Sequence, residues 1–169
     1  ELGTIVAAVR EGRRIYANIT KFVAFLLSAN LGEVVLFAVA ILAGMGAPMT
    51  VVQVLVVNLL TDGLPAVALA RDPASPDTMR RPPQGLGTLL GRELSAILGI
   101  AGVAVGLVAF GAYLAGRELE PDAAQTMAFA TVALAELVLV FAVRAPRSPA
   151  WRAGRNPALI LAVAGSVLV

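Results

Sequence analysis

The sequence predicts an all-α fold: a polytopic membrane helix bundle of about five spans, the last truncated, entered by an N-terminal cytoplasmic stalk helix. Three observations predict it. The 169 residues are 59% hydrophobic, with a mean hydropathy of +0.86. Soluble domains average about 45–50% apolar, so a water-soluble fold would have too little polar surface to cover this core. The apolar residues fall in runs close to the ~20 that cross a bilayer as a helix. The thirteen Lys and Arg residues fall almost entirely between those runs.

Composition also excludes. Cysteine and histidine are both absent. That removes disulfides, thiolate and imidazole metal sites, and Cys or His nucleophilic chemistry. A bound metal must be held by oxygen, which favours hard cations such as calcium, magnesium, sodium or potassium. A pI near 9.7 can indicate nucleic acid. Here the basic residues sit in short loops between apolar spans, which membrane topology explains better, and no nucleic-acid partner is expected. The chain opens on Glu1 with neither an initiator Met nor a signal-peptide pattern, and it stops inside the apolar run Gly165 to Val169. It is expected to be an excised piece of a longer protein.

Residues 1–21 are amphipathic, with Ile5, Val6, Val9, Ile15 and Ile19 alternating with Arg10, Glu11, Arg13, Arg14 and Lys21. They read as a helical stalk leading into a transmembrane cation-binding domain over residues 22–169; an ordinary solvated helix is the plainer reading. The first span covers residues 22–43 and ends at the turn Gly44 to Pro48. The second covers 51–70. A Pro- and Arg-rich loop, Arg71 to Gly91, leads to the third span, 94–115. A short polar loop joins it to the fourth, 123–143. The basic stretch Arg144 to Arg155, with Trp151, precedes the truncated fifth, 157–169. Placing the spans this way puts twelve basic residues on one side and only Arg117 on the other. That asymmetry makes the stalk, the Pro-rich loop and the Trp151 loop cytoplasmic. The third span carries Gly102 and Gly106, a GxxxG pair that lets another helix approach closely, although glycine is also simply common in membrane helices.

Polar groups at membrane depth carry the functional reading, because they are costly there and an ionisable one is read first as functional. Asn30 and Glu33 share a face of the first span. In the second, Asn58, Thr61 and Asp62 stand at i, i+3 and i+4, so an α-helix would bring them together. Gly63 and Pro65 follow, and both weaken a helix, so an interruption is expected at these residues. Broken helices at membrane depth are tolerated where they line a cavity or ion site. In the fourth span Glu136 stands alone among aliphatic residues. No basic residue lies mid-span to neutralise Glu33, Asp62 or Glu136. In low dielectric such carboxylates take up protons or are offset by a cation, and calcium accepts six to eight oxygens in an irregular shell. Structural alternatives stay open: an interhelical hydrogen bond for Asn30, a bond to its own helix for Thr61, a protonated structural carboxyl for Glu136. Ser28 and Thr131 read as structural, and Gln53 as packing or interfacial. No phosphate-binding glycine loop with Lys is present, and Gly85 to Gly87 is a loop punctuator.

These residues match a known family. TIVAAVREGRRIY (Thr4 to Tyr16) resembles the stalk entering the fifth membrane helix of type II P-type cation-transporting ATPases, and SANLGEV (Ser28 to Val34) the middle of that helix. NLLTDGLPA (Asn58 to Ala66) resembles the sixth, and DTMRRPP (Asp77 to Pro83) the loop after it. The likeness is closest to the sarcoplasmic reticulum type of calcium pump and its bacterial relatives. From Leu94 onward it rests on span order, the glycine face and Glu136.

The resemblance implies helices five to nine of such a pump. It implies Asn30, Glu33, Thr61, Asp62 and Glu136 at one calcium site, and Asn58 and Asp62 at a second. The second site would be completed by a fourth helix that this sequence lacks. It implies Gly32 packed closely against Gly102 and Gly106. It implies calcium as the transported ion, exported with proton counter-transport, and ATP and magnesium bound only by cytoplasmic domains outside this sequence. Its partners would then be the transported cation, the lipid bilayer and the N-terminal half of the same pump (helices one to four and the cytoplasmic domains). The phosphorylated Asp-Lys-Thr-Gly-Thr segment is missing, so the piece alone is expected to have no activity and no catalytic residue. Other readings are the same family moving sodium, potassium, manganese or protons, a passive channel or secondary transporter, and a structural membrane module. The Ala-, Arg- and Gly-rich composition suggests a GC-rich bacterial genome, which would place the pump in the plasma membrane.

Overall fold

The computed structural model describes residues 1–75, 77–80, 91–144 and 156–167. The expectations for Pro82, Pro83 and Gly85 to Gly87, for the basic stretch carrying Trp151, and for the last two residues of the fifth span lie outside the described residues. Secondary structure among the described residues is entirely helical.

Helix α1 is one continuous element, Leu2–Leu42. No proline interrupts it, and its end is set by glycine. Gly44 takes φ +69°, a conformation that costs a residue with a Cβ. Its N–H meets Ile41 O and the Met45 N–H meets Ala40 O, each at 2.9 Å. This pair of bonds is a Schellman motif, and it satisfies carbonyls that the helix end leaves open.

The second apolar run, Val51–Ala70, is helical throughout but is built in three parts: α2 (Val51–Val56), a π-helical turn (Val57–Thr61) and α3 (Gly63–Ala70). Helix α2 opens on a capping box. Thr50 Oγ1 accepts from Gln53 N at 3.2 Å, and Gln53 Oε1 accepts from Thr50 N at 2.8 Å. Gln53, read from sequence as packing or interfacial, is therefore a cap. Helices α4 (Arg92–Arg117), α5 (Pro121–Arg144) and α6 (Pro157–Val167) follow. Helices α5 and α6 open on proline, which loses nothing at a first helical position. Asn156 caps α6, its Oδ1 accepting from Leu159 N at 3.1 Å.

Four of these stretches are long and apolar enough to cross a bilayer: Leu2–Leu42, Val51–Ala70, Leu94–Arg117 and Asp122–Arg144. The chain is a multi-pass membrane protein. Leu27, Val34, Val52, Leu55, Ile100, Val108 and Val138 point outward, as lipid-facing side chains do. Among residues 1–21, Ile5, Val6, Val9, Ile15 and Ile19 are all exposed.

Helix α4 lies between α1 and α5 and packs on both. Glycine sets the α1–α4 approach. A Cβ on Gly102 would stand 2.6 Å from Ser28 O, and one on Gly106 would stand 2.5 Å from Gly32 O. Such distances are inside van der Waals contact, so only a residue without a side chain fits. Gly99 and Gly111, on the same helix, have no atom of another helix within 4 Å of the equivalent point among the described residues.

The bundle holds two apolar cores. One joins Ala24, Phe25, Ala66, Leu69, Leu98, Leu139, Val140 and Leu159. The other joins Leu36, Val57, Ala109, Tyr113, Ala128 and Val132. On every helix that supplies both, an intervening stretch separates the two contributions. Glu33, Asp62 and Glu136 fall in those stretches. The fold thus places a polar layer between two dry ones.

A second polar cluster closes one end of the first core. Asp72, 2% exposed, follows the end of α3. Its Oδ2 lies 2.6 Å from Lys21 Nζ, and its Oδ1 accepts from Arg144 Nε at 2.9 Å and from Asn156 Nδ2 at 2.9 Å. Its backbone carbonyl accepts from Asn18 Nδ2 at 2.8 Å.

Candidate cation site

The site is built where the second span departs from α-helical register. The Asp62 N–H bonds Val57 O at 2.9 Å, five residues back. Such π-turns are rare and often mark functional positions. The interruption expected around Asn58 to Pro65 is therefore real, but it is a widened turn and not an unwound one. It also revises the spacing argument, because Asn58, Thr61 and Asp62 do not stand on one regular α-helical face. Just downstream, Pro65 brings no N–H to the carbonyl four residues before it, Thr61 O. One carbonyl of the interrupted turn, Leu60 O, accepts from Ser166 Oγ of α6 at 3.2 Å; the same hydroxyl lies 3.0 Å from Ala162 O.

Five of the six sequence candidates come together in the polar layer. Glu33 is buried, and both of its carboxylate oxygens accept from Asn58 Nδ2 at 2.9 Å. The same amide group also reaches Val54 O at 3.1 Å. Thr61 is buried at the end of the π-turn. Asp62 and Glu136 are fully buried at 0% exposure. Neither of their carboxylates meets a hydrogen-bond donor among the described residues. Glu33, Asp62 and Glu136 lie close enough to feel one another's charge.

Asn30 is the exception. It lies exposed on α1, and its amide nitrogen donates to Leu26 O at 2.7 Å in its own helix. Ser28, read as structural, donates to Ala24 O at 2.9 Å.

This arrangement is costly unless something compensates it. A buried carboxylate with no donor loses its hydration without replacement, and two side by side add repulsion. Lys21 on the helix of Glu33 and Arg144 on the helix of Glu136 are engaged by Asp72, and Arg71 stands nine residues beyond Asp62 at the end of α3. Protons or a bound cation are what remain to offset the charge. Among the described residues no three acidic side chains take the spacing of a metal shell. A hard cation would therefore need amide and hydroxyl oxygens as well, and Asn58 and Thr61 bring them to the same layer.

Comparison with known proteins shows the family. A family model described as the C-terminus of cation transporting ATPases matches residues 46–169. The chain belongs to the P-type cation-transporting ATPases. It represents their C-terminal membrane domain. A calcium-transporting ATPase of Bacillus subtilis (strain 168) is 38% identical over 169 residues, 98% of this chain and 19% of that protein. A calcium-transporting ATPase 1 of Bacillus cereus is 38% identical over 159 residues, 83% of this chain and 18% of that protein. The P-type sodium-transporting ATPase4 of Toxoplasma gondii is 54% identical over 81 residues, 48% of this chain and 6% of that protein. The chain thus spans less than a fifth of the length of these ATPases.

Asp72 and Asn156 were not singled out by the sequence reading. Asn156 had a legible signal, an Asn directly before a Pro that opens an apolar run. Asp72 had none, since an acidic residue next to Pro73 just past a span reads as an ordinary loop residue.

Proposed function

We propose that this chain is the cation-binding and translocation domain of an ATP-driven calcium pump. One observation carries the reading: Asp62 and Glu136 are buried side by side, with no donor among the described residues, near Glu33, at a π-turn between two apolar cores. Calcium is the substrate. Glu33, Thr61, Asp62 and Glu136 hold it, with Asn58 beside them, bonded to Glu33. Asn30 joins by turning its amide away from Leu26 O. The names of the Bacillus relatives support calcium.

Residues 1–21 act as the cytoplasmic stalk, linking cytoplasmic domains to the membrane domain over residues 22–169. Those cytoplasmic domains bind ATP and magnesium and carry the phosphorylated residue; this piece is inactive alone. Motion of α1 moves Glu33 relative to Asp62 and Glu136, opening the layer to the opposite side. The emptied carboxylates then take up protons, because bare charges in low dielectric are the costlier outcome, and calcium export is accompanied by proton counter-transport. The pump works in a bacterial plasma membrane.

A second reading, sodium as the transported ion, is favoured by the 54% identity to the sodium-transporting ATPase4 of Toxoplasma gondii. The test is cation-stimulated ATP hydrolysis by the full-length parent in detergent, wild type beside Asp62→Asn and Glu33→Gln. Activation by micromolar calcium that both substitutions abolish supports the proposal. Activation by sodium alone keeps the pump and changes the ion. No cation-stimulated hydrolysis in a folded parent overturns the pump reading in favour of a channel or a structural module.

A further inference from the structure

The Asp72 cluster and the three site carboxylates draw on the same elements. Helix α1 supplies Glu33 and Lys21, the second span supplies Asp62 and continues to Asp72, and α5 supplies Glu136 and Arg144. On α1 the cluster residue precedes its carboxylate by twelve positions; on the second span it follows by ten, and on α5 by eight. At 1.5 Å per residue these separations are about 18, 15 and 12 Å. Helix α1 runs toward the polar layer from Lys21, while the other two run away from it to Asp72 and Arg144. All three cluster residues therefore stand at one end of the bundle, beyond the first core. Asn156 of α6 joins them there.

Helix α3 is what makes this arrangement consequential. It has eight residues, Gly63–Ala70. Upstream, the π-turn breaks the α-helical register that would otherwise tie its depth to α2. Downstream, Asp72 is held by two cations, the Asn156 amide and, through its carbonyl, Asn18. A helix this short takes much of its depth from its anchor at Asp72. Asp62, at the other end of α3 beside the π-turn, therefore depends in part on Asp72 for its position.

Resting on the reading of the carboxylates as a cation site, we propose that Asp72, with Lys21 and Arg144, is a positioning cluster that keeps Glu33, Asp62 and Glu136 in mutual register. The cluster touches no ion. It ties the middle of α1, at Lys21, to the ends of α3 and α5, so that the carboxylates on those helices meet at fixed relative depth. Charge is part of the device: one buried carboxylate faces two cations, and an amide in its place would remove the negative charge that Lys21 and Arg144 share.

The experiment uses the full-length parent pump in detergent, with Asp72→Asn and Asp72→Glu beside wild type. Hydrolysis is titrated with calcium, and with sodium if sodium is the activating cation. Loss of positioning is expected to raise the half-activating cation concentration of Asp72→Asn about tenfold or more, with maximal turnover per folded molecule within about twofold. Asp72→Glu keeps the charge and should recover most of the affinity. A merely structural role would lower the yield of folded pump and leave the half-activating concentration of the folded fraction unchanged. A folded Asp72→Asn with wild-type affinity overturns the proposal. If Asp72→Asn does not fold, Lys21→Gln carries the same test, because Asp72 keeps Arg144 and Asn156. A rise of about threefold supports the proposal and no rise overturns it. A wild type that no cation activates overturns the site reading, and this inference with it, which separates the two failures.

Discussion

Asn58 Nδ2 donates to both carboxylate oxygens of Glu33, at 2.9 Å each, tying the π-turn of the second span to the middle of α1. One amide group thus satisfies a buried carboxylate on another helix while also reaching Val54 O of its own. Asn58→Ala leaves Glu33 without that donor and should cost about 1–3 kcal/mol. The check is a double-mutant cycle with Glu33→Gln, read by thermal unfolding in detergent without cation. The two losses should be non-additive, with a coupling of about 0.5–3 kcal/mol. Strict additivity would mean the pair does not act as a unit.

The unpartnered carboxylates make the opposite prediction for stability. Asp62→Asn and Glu136→Gln each replace a buried carboxyl group that meets no donor among the described residues. Without cation, both variants should be as stable as the parent or more so. With cation, only the parent should gain. A ligand at 100 times its Kd stabilises by about 2.7 kcal/mol, and that gain should vanish in both variants. Stabilisation of either variant equal to that of the parent would rule its carboxylate out as a ligand. Losing stability to keep a binding site is a common trade-off.

The glycines of α4 divide sharply. Gly106→Ala places a Cβ 2.5 Å from Gly32 O and 2.7 Å from Val35 Cβ. Overpacking of this kind costs about 1–3 kcal/mol. Gly111→Ala meets no atom of another helix within 4 Å among the described residues, and should be neutral or gain up to about 1 kcal/mol from its lower unfolded-state entropy. Equal effects at the two positions, measured by denaturant titration in detergent, would contradict the close α1–α4 approach.

Asn156 joins two roles in one side chain. It caps α6 through Leu159 N, and it donates to Ala68 O and Asp72 Oδ1. Asn156→Ala should cost about 1–2 kcal/mol from the cap alone. The exposed cap Thr50 offers a comparison, since Thr50→Ala loses only a local capping box. If both losses are the same, the Asp72 and Ala68 contacts contribute nothing to stability.

Much of this was open to inspection before any fold was known. Glu33, Asp62 and Glu136 declare themselves because membrane-length apolar runs make any carboxylate conspicuous. Gly63 and Pro65 announced a disturbed helix. What periodicity could not show was the kind of disturbance. A spacing of i, i+3, i+4 presumes an α-helix, and the π-turn adds a residue to the turn that carries Asn58 and Thr61. Asn30 shows the same limit. Its position one turn before Glu33 suggested a shared face, yet its side chain bonds Leu26 O, because an exposed amide finds its nearest acceptor one turn back in its own helix.

By itself, the sequence determined that this protein is a helical membrane domain with an oxygen-only set of candidate ligands. Hydropathy, the absence of Cys and His, and isolated carboxylates in apolar runs are properties of single segments. The tertiary structure decided which of those groups meet. It brought Glu33, Asn58, Thr61, Asp62 and Glu136 into one layer between two cores, left Asn30 outside it, and gathered Lys21, Asp72, Arg144 and Asn156 at the end of the bundle. The reason is physical: each of those meetings depends on the relative depth of helices far apart in the chain. Close glycine contacts, a widened turn and a buried ion cluster set that depth, and all three belong to pairs of segments.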